Sequence, residues 1–496
     1  MEQIITAETL FEHADYKRAS LTAKKAMDKL MKVGNYTEAV RALEIRANSM
    51  HALQDSEKAT MLLGEVLGEF KQKGETHFEI LVTSLIADAS LSKGDTQGAL
   101  RKAEEAKELA KDRRDGIGEA VALRTLAKIN IQLGELDEAI RFSYRVADIM
   151  QECKDLEAQA FELYSIAQLH LHARQFSDSI VSAKKAVSLF RKVANKEAEA
   201  NAFRVGAEAS WHAGVLRVAS WQEGRNDCAL SMCLAALELY KYVGNVQKQI
   251  ATGIMVAKLF FELHDYEEAS EMAMAMWQIS MKANSSKAEI MESIKLYIDA
   301  LTSRHSARKS TATLKTQRGW LQAAVDAAKE LVALSMHLPK PEQAEANRIL
   351  AKALLVKETA LSDGSVAHAL QAAEKYLDCA VQSQDRGLQA AALLLLAELH
   401  FHNKDINAAI EANNRAEEMY KDAMDVFGQA KVESLRSKFR FSDQWSKVRV
   451  KASDGSLRKA IDVEKEAMPA IATGWKNATL YIHFDNLQAR AAKNIG

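Results

Sequence analysis

The sequence predicts an all-α fold, a right-handed solenoid of about ten helix-turn-helix repeats closed by a C-terminal capping helix and a short tail. Two observations carry that prediction. The first is the stretch from Asp115 to Lys154, which reads as two helices joined at Gly134-Glu135. One helix places Leu123, Leu126, Ala127 and Ile131 on a single side. The other does so with Leu136, Ala139, Ile140, Ser143, Val146, Ala147 and Met150. Neither helix can bury its stripe alone. The second observation is that the unit returns. Counted on the small residue five positions after the turn, anchors fall at Ala19, Ala59, Ala99, Ala139, Ser179, Ala229, Ala269, Ala324, Ala369 and Ala409. Most are 40 residues apart, and steps of 50, 55 and 45 mark three insertions. A fixed period of this size belongs to stacked repeats.

Composition agrees. Of 496 residues, 48% are hydrophobic and only three are proline, which suits a continuous helical core with few linkers. The 66 basic and 67 acidic side chains cancel, so no global field steers the chain to nucleic acid. Cysteines at 153, 228, 233 and 379 form no CxxC pair and fit a reducing compartment. The N-terminus lacks a basic region followed by an apolar run, and no stretch is apolar enough to span a membrane. A cytoplasmic protein without a membrane span is the expectation. The sequence specifies no oligomeric state.

Taken in order, further positions repeat in the same register. Twelve residues before the anchor, the first helix carries Ala7, Ala47, Ala87, Ala127 or Ala167, and, once insertions are allowed for, Ala207, Ala257, Ala351 or Ala397, small enough for the second helix to approach closely. Seven after it come Ala26, Ala106, Ala186, Ala236 and Ala416. Sixteen after it come Asn35, Asp115, Asp155, Asn195, Asn245, Ser285, Asp385 and Asp425, whose oxygens can cap the next helix. The solenoid is expected over residues 1–424, a capping helix over 425–440 and a non-repeat tail over 441–496. Within that tail, 478–484 reads as a strand and could open a further domain. Insertions are expected near 214–223, 304–318 and 357–365. The second of these, with Arg304, Arg308, Lys309, Lys315 and Arg318 and no acid, reads as a mobile loop with a possible phosphorylation site at Ser310 or Thr311. Tyr297 stands where repeat eight should have its small residue.

A small residue, a turn such as Gly94-Asp95 or His264-Asp265-Tyr266, an alanine anchor and a further alanine seven later resemble the tetratricopeptide repeat. The likeness covers residues 1 to about 424. Its usual period is 34, and the 40-residue period here resembles the subgroup with Pins-type adaptors and rapsyn. The resemblance implies a concave groove lined by first helices, binding peptide or helical segments of partner proteins. The groove positions lie fifteen and eleven residues before each anchor, on one helix face. They include Glu44/Asn48, Ser84/Asp88, Arg124/Lys128, Tyr164/Gln168, Ile254/Lys258 and, once the insertion near 214–223 is allowed for, Arg204/Glu208, with Trp211 nearby. Arg124, Lys128, Tyr164, Gln168, Arg204, Trp211 and Lys258 are the candidate partner-binding residues. The family's carboxylate clamp, Lys and Asn across consecutive repeats, is not reproduced.

Catalytic patterns are not found. No nucleophile elbow, phosphate loop or zincin HExxH occurs. His170/His172 and His400/His402 are two apart on a helix, so neither pair can chelate one metal ion, and neither a metal nor any other cofactor is expected. Arg113-Arg114-Asp115-Gly116 could hold an anion at a helix start. Gly64 and Gly68 read as a close-packing pair, and Met272, Met274, Met276 and Met281 as core. The functional expectation is a non-enzymatic scaffold or adaptor. The alternative is the regulatory or sensor array of a larger enzyme whose catalytic domain lies beyond Gly496.

Overall fold

The structure, a computed structural model, describes residues 2–214, 229–307, 313–360 and 366–453. Residues 215–223 of the expected insertion at 214–223, residues 361–365 of that at 357–365, the candidate phosphorylation sites Ser310 and Thr311, and the strand at 478–484 lie outside them. Every regular element among the described residues is an α-helix. They fall into two compact units, one ending at Leu259 and one beginning at Phe260.

The first unit is built from α1 (Glu2–Glu12), α2 (Tyr16–Val33), α3 (Tyr36–Ala52), α4 (Ser56–Lys73), α5 (Thr76–Ser92) and α6 (Thr96–Arg113). It continues with α7 (Gly116–Leu133), α8 (Leu136–Glu152), α9 (Leu156–His172), α10 (Phe176–Lys192), α11 (Lys196–His212) and α12 (Ala229–Val243). The unit boundary falls near the end of α13 (Val246–Glu262). The second unit contains α14 (Tyr266–Lys282), α15 (Lys287–Ser306), α16 (Leu314–Ser335) and α17 (Lys340–Ala360). It ends with α18 (Ala367–Gln382), α19 (Arg386–His402), α20 (Ile406–Asp422) and α21 (Val426–Ser453).

All ten anchor residues are fully buried, from Ala19 to Ala409, and the small residues of the first helices are nearly so. This burial is the reason for the alanines: with no side chain beyond Cβ, paired helices close to the short end of the usual 8–10 Å spacing. Larger residues then fill the gaps between hairpins, as Phe70, Phe190, Tyr240 and Tyr376 do without reaching solvent.

Both kinds of turn are made alike. In the first unit a residue with positive φ ends nearly every helix at 20-residue intervals, from Ala14, Gly34, Gln54, Gly74 and Gly94 to Gly214. The following amide bonds back to the carbonyl five residues earlier, as Asp15 N does to Leu10 O (2.9 Å) and Asp115 N to Ala110 O (2.9 Å). These are Schellman closures, which satisfy the last carbonyls of each helix. At many turns the next residue then caps the following helix, with Asn35, Asp115, Asp155, Asn195, Asn245, Asp385 and Asp425 all accepting from an amide three residues on, whereas Glu75, Glu135 and Gln175 make no side-chain cap. At α15 the cap is Ser286 rather than the expected Ser285, because the turn there is one residue longer.

Several local expectations give way. Arg304 lies inside α15, where it pairs with Glu267 (2.6 Å) and stacks on Trp320 (4.0 Å to the ring centroid). Lys315 and Arg318 belong to α16, so most of the expected loop at 304–318 is helix. The last helix runs to Ser453, beyond the expected end at 440. Ile131 is exposed while Ile129 takes the buried place, a shift of about 200° around the helix. Gly64 and Gly68 face open space, where an added Cβ would meet nothing within 4 Å, so they are not a packing pair. Of the four methionines only Met276 is core, and Met274 and Met281 are exposed.

Candidate functional site

Each odd-numbered helix lies between even-numbered neighbours. Within the units, several odd-numbered helices also pack on the next odd-numbered one, as α3 does on α5, α5 on α7, α9 on α11 and α17 on α19, whereas α7 and α9 meet through the Arg124 and Glu162 side chains rather than by close backbone approach. Even-numbered helices make no comparable contact with one another among the described residues. The odd helices are therefore the row that packs on itself where the helices are closest, and only a narrow stripe of α7, α9 and α11 reaches solvent. On α7 that stripe includes Val121, Arg124 and Lys128. On α9 it is Phe161, Tyr164, Ser165 and Gln168, and on α11 Asn201, Arg204, Glu208 and Trp211. Spacings of three, four and seven keep each set on one face.

Six of the seven candidate residues fall on these three stripes, and Lys258 lies half-buried on α13. Their charges are largely matched from within. The Arg124 Nε donates to Glu162 Oε1 on α9. Lys128 Nζ is 3.1 Å from Asp88 Oδ2 on α5. Arg204 lies 3.7 Å from Glu208 one turn on, and its charge acts on the Tyr240 hydroxyl. That hydroxyl donates to Asn201 Oδ1 at 2.7 Å, and burial pushes its pKa up to about 12. Gln168 Nε2 donates to the Tyr164 hydroxyl at 3.1 Å. Trp211 lies nearly parallel to His212, with ring planes 14° apart.

Two positions expected in the groove are buried instead. Ser84 turns its hydroxyl to Ile80 O (3.1 Å), and Ile254 packs inward. Small or apolar residues at these positions let the neighbouring helices close over them. Sequence reasoning also missed Phe161, whose place three residues before Tyr164 on the same face was the available signal.

The odd row also carries two groups whose charge is disfavoured. Glu44 on α3 reaches solvent but is walled by neighbouring helices, and desolvation raises its pKa despite the opposing charge of Lys128. In the second unit, Asp299 is shifted upward chiefly by desolvation, against Arg348 and Lys352. Arg348 is itself held by Glu345 through two hydrogen bonds of 2.6 Å.

The remaining sequence candidates resolve into local structure. His170 donates through Nδ1 to Gln175 Oε1 (2.6 Å) and faces the Tyr144 hydroxyl through Nε2 (3.2 Å), so both ring nitrogens are engaged. The anion position before α7 is filled by the chain's own Asp115 carboxylate, which accepts from Gly118 N at 2.9 Å. Among the described residues no group of three His, Cys, Asp or Glu side chains is placed to hold a metal ion. No described helix is long and apolar enough to cross a membrane.

No family model and no curated protein matches the chain. Solved structures are similar at low identity. BtubC (BKLC) from P. vanneervenii is 16% identical over 47% of this chain and 93% of its own, with a TM-score of 0.39. A signal-transduction ATPase with a tetratricopeptide repeat sensor, from Pyrococcus horikoshii, is 17% identical over 76% of this chain, with a TM-score of 0.44. The match spans 55% of that protein's length. The apo form of RapI is 14% identical over 78% of this chain and 99% of its own, with a TM-score of 0.45.

Proposed function

We propose that the chain is a non-catalytic scaffold holding a segment of a partner protein, extended or helical, along the inner row of odd helices in the first unit. The observation that carries this reading is the set of adjacent stripes on α7, α9 and α11. Three successive odd-numbered helices leave Arg124, Tyr164, Gln168, Arg204 and Trp211 facing solvent in adjacent stripes. A polar surface with arginine and aromatic residues suits recognition of a peptide or helix. The 40-residue period shared with Pins-type adaptors and rapsyn belongs to the same proposal and supplies no partner.

The test is affinity capture from native lysate, wild type beside Arg124→Gln/Lys128→Gln/Arg204→Gln, read by mass spectrometry. Glutamine is chosen because glutamate would meet Glu162, Asp88 and Glu208, the acids these cations already face. With circular dichroism unchanged, loss of a reproducible partner set supports the groove. An unaltered set places the binding surface elsewhere.

A further inference from the structure

We infer that the stripe of α9 is the anchor point of that groove, and that it takes a partner segment with one large apolar side chain flanked on both sides by carboxylates. The inference rests on the scaffold reading and adds the chemistry of the partner.

Phe161 is 44% exposed, the only exposed aromatic on the odd helices of the first unit among the described residues. It is not loose. Its ring meets the buried Phe190 edge-on, centroids 5.0 Å apart and planes at 74°. One turn on, Tyr164 and Gln168 hold each other through their hydrogen bond. The side chains of this stripe are fixed before a partner arrives, which removes part of the ordering cost of binding.

The stripe is also uncharged. Phe161, Tyr164, Ser165 and Gln168 lie between α7 and α11, which present Arg124 and Arg204. An apolar, aromatic centre with a charged rim is the composition of an interface hot spot. Arg124 is turned outward: its side chain is 38% exposed, whereas Glu162 beneath it is 11% exposed. The pair uses Nε, so the two terminal nitrogens can grip a second carboxylate. Arg204 sits on the other side, equally exposed at 38%.

Spacing sets the pattern. Neighbouring helices lie about 8–10 Å apart, so each carboxylate belongs roughly that far from the apolar anchor. Along a helix this is about five to seven residues; along an extended segment it is about three.

The experiment pans phage-displayed random peptides on the full chain, then measures synthetic copies of the winners by fluorescence anisotropy. The expected consensus is an aromatic or aliphatic anchor with Asp or Glu at one of those spacings. Phe161→Ala should weaken binding by about 30-fold or more. Gln168→Glu, half-exposed and remote from the core, should weaken it comparably by setting a charge in the uncharged stripe, and it answers any concern that Phe161→Ala disturbs packing on Phe190. A basic consensus, or affinities within about twofold for both variants, overturns the inference. Peptides that lose affinity with Arg204→Gln but ignore both α9 variants overturn it while leaving the scaffold reading standing. Peptides indifferent to every one of these substitutions overturn both.

Discussion

The imidazole of His77 donates from Nδ1 to Oδ2 of Asp115 at 2.6 Å, while Oδ1 of the same carboxylate accepts from Gly118 N at 2.9 Å. One side chain thus caps α7 and ties it to the first turn of α5. The arrangement recurs along the row, where Asn195 donates to Glu157 (3.1 Å) and Asn245 to Glu197 (3.0 Å) while each caps its own helix. Asp115→Ala should therefore cost more than an ordinary cap, about 2 kcal/mol, from the lost cap and the lost cross-repeat bond together. Asp115→Asn keeps the cap and should recover about half in thermal unfolding. Equal losses for the two variants would show that the cap contributes nothing.

Two glycines in helices should respond in opposite directions. At Gly64 a Cβ meets nothing, so Gly64→Ala should stabilise the protein by up to about 1 kcal/mol through helix propensity. At Gly428 a Cβ would lie 2.1 Å from Cδ1 of the Tyr420 ring, which is itself buried against α21. Gly428→Ala should destabilise by about 1–3 kcal/mol. Urea denaturation of the two variants decides the matter, and gains at both positions would show that α21 does not rest on Tyr420.

The repeat was legible because its packing is repetitive: the anchor must be small wherever two helices close together, and every anchor is buried. The finer period was not legible. Turns recur every 20 residues, yet their left-handed position is filled by Ala14, Gln54, Arg114, Lys154, Arg174 and Ala194 as well as by glycine. Only the backbone conformation repeats there, which leaves no common side chain to read. The site was half legible for a similar reason. Face periodicity located Arg124, Tyr164 and Arg204, but it could not tell that Ser84 and Ile254 would be covered by neighbouring helices. The non-glycine turns predict a gain. Ala14→Gly and Lys154→Gly each relieve a left-handed Cβ strain of about 1–2 kcal/mol, offset by about 0.5–1 kcal/mol of backbone entropy. A small rise in melting temperature is expected for each, and a fall for both would refute the strain argument.

Glu44 predicts a pH dependence of definite sign. Its carboxyl is raised in the folded protein, mainly because neighbouring helices partly desolvate it although it still reaches solvent. Between the unfolded pKa and the higher folded one, the native state holds the extra proton, so stability falls as pH rises through that window. Glu44→Gln has no such loss. The variant should match wild type at acid pH, gain on it as pH rises through the window, and keep a constant lead above. A lead that is the same at every pH would assign the effect to packing rather than to charge.

Arg124 has two possible roles, and a double-mutant cycle separates them. As the partner of a nearly buried carboxylate it is structural, because Arg124→Ala leaves Glu162 without its cation in a place water hardly reaches. That should cost about 2 kcal/mol in stability. Replacing Glu162 by Gln removes the stranded charge, so Arg124→Ala/Glu162→Gln should be more stable than Arg124→Ala alone. The coupling energy is expected at about 1 kcal/mol or more, well above the additivity limit of roughly 0.5 kcal/mol for independent sites. Strictly additive losses would mean that the pair contributes little to the fold and that Arg124 faces the groove unencumbered. With coupling present, loss of binding in Arg124→Ala has to be compared with the double variant. Both lack the guanidinium, but only the single variant strands Glu162, so binding lost equally in the two belongs to the guanidinium itself.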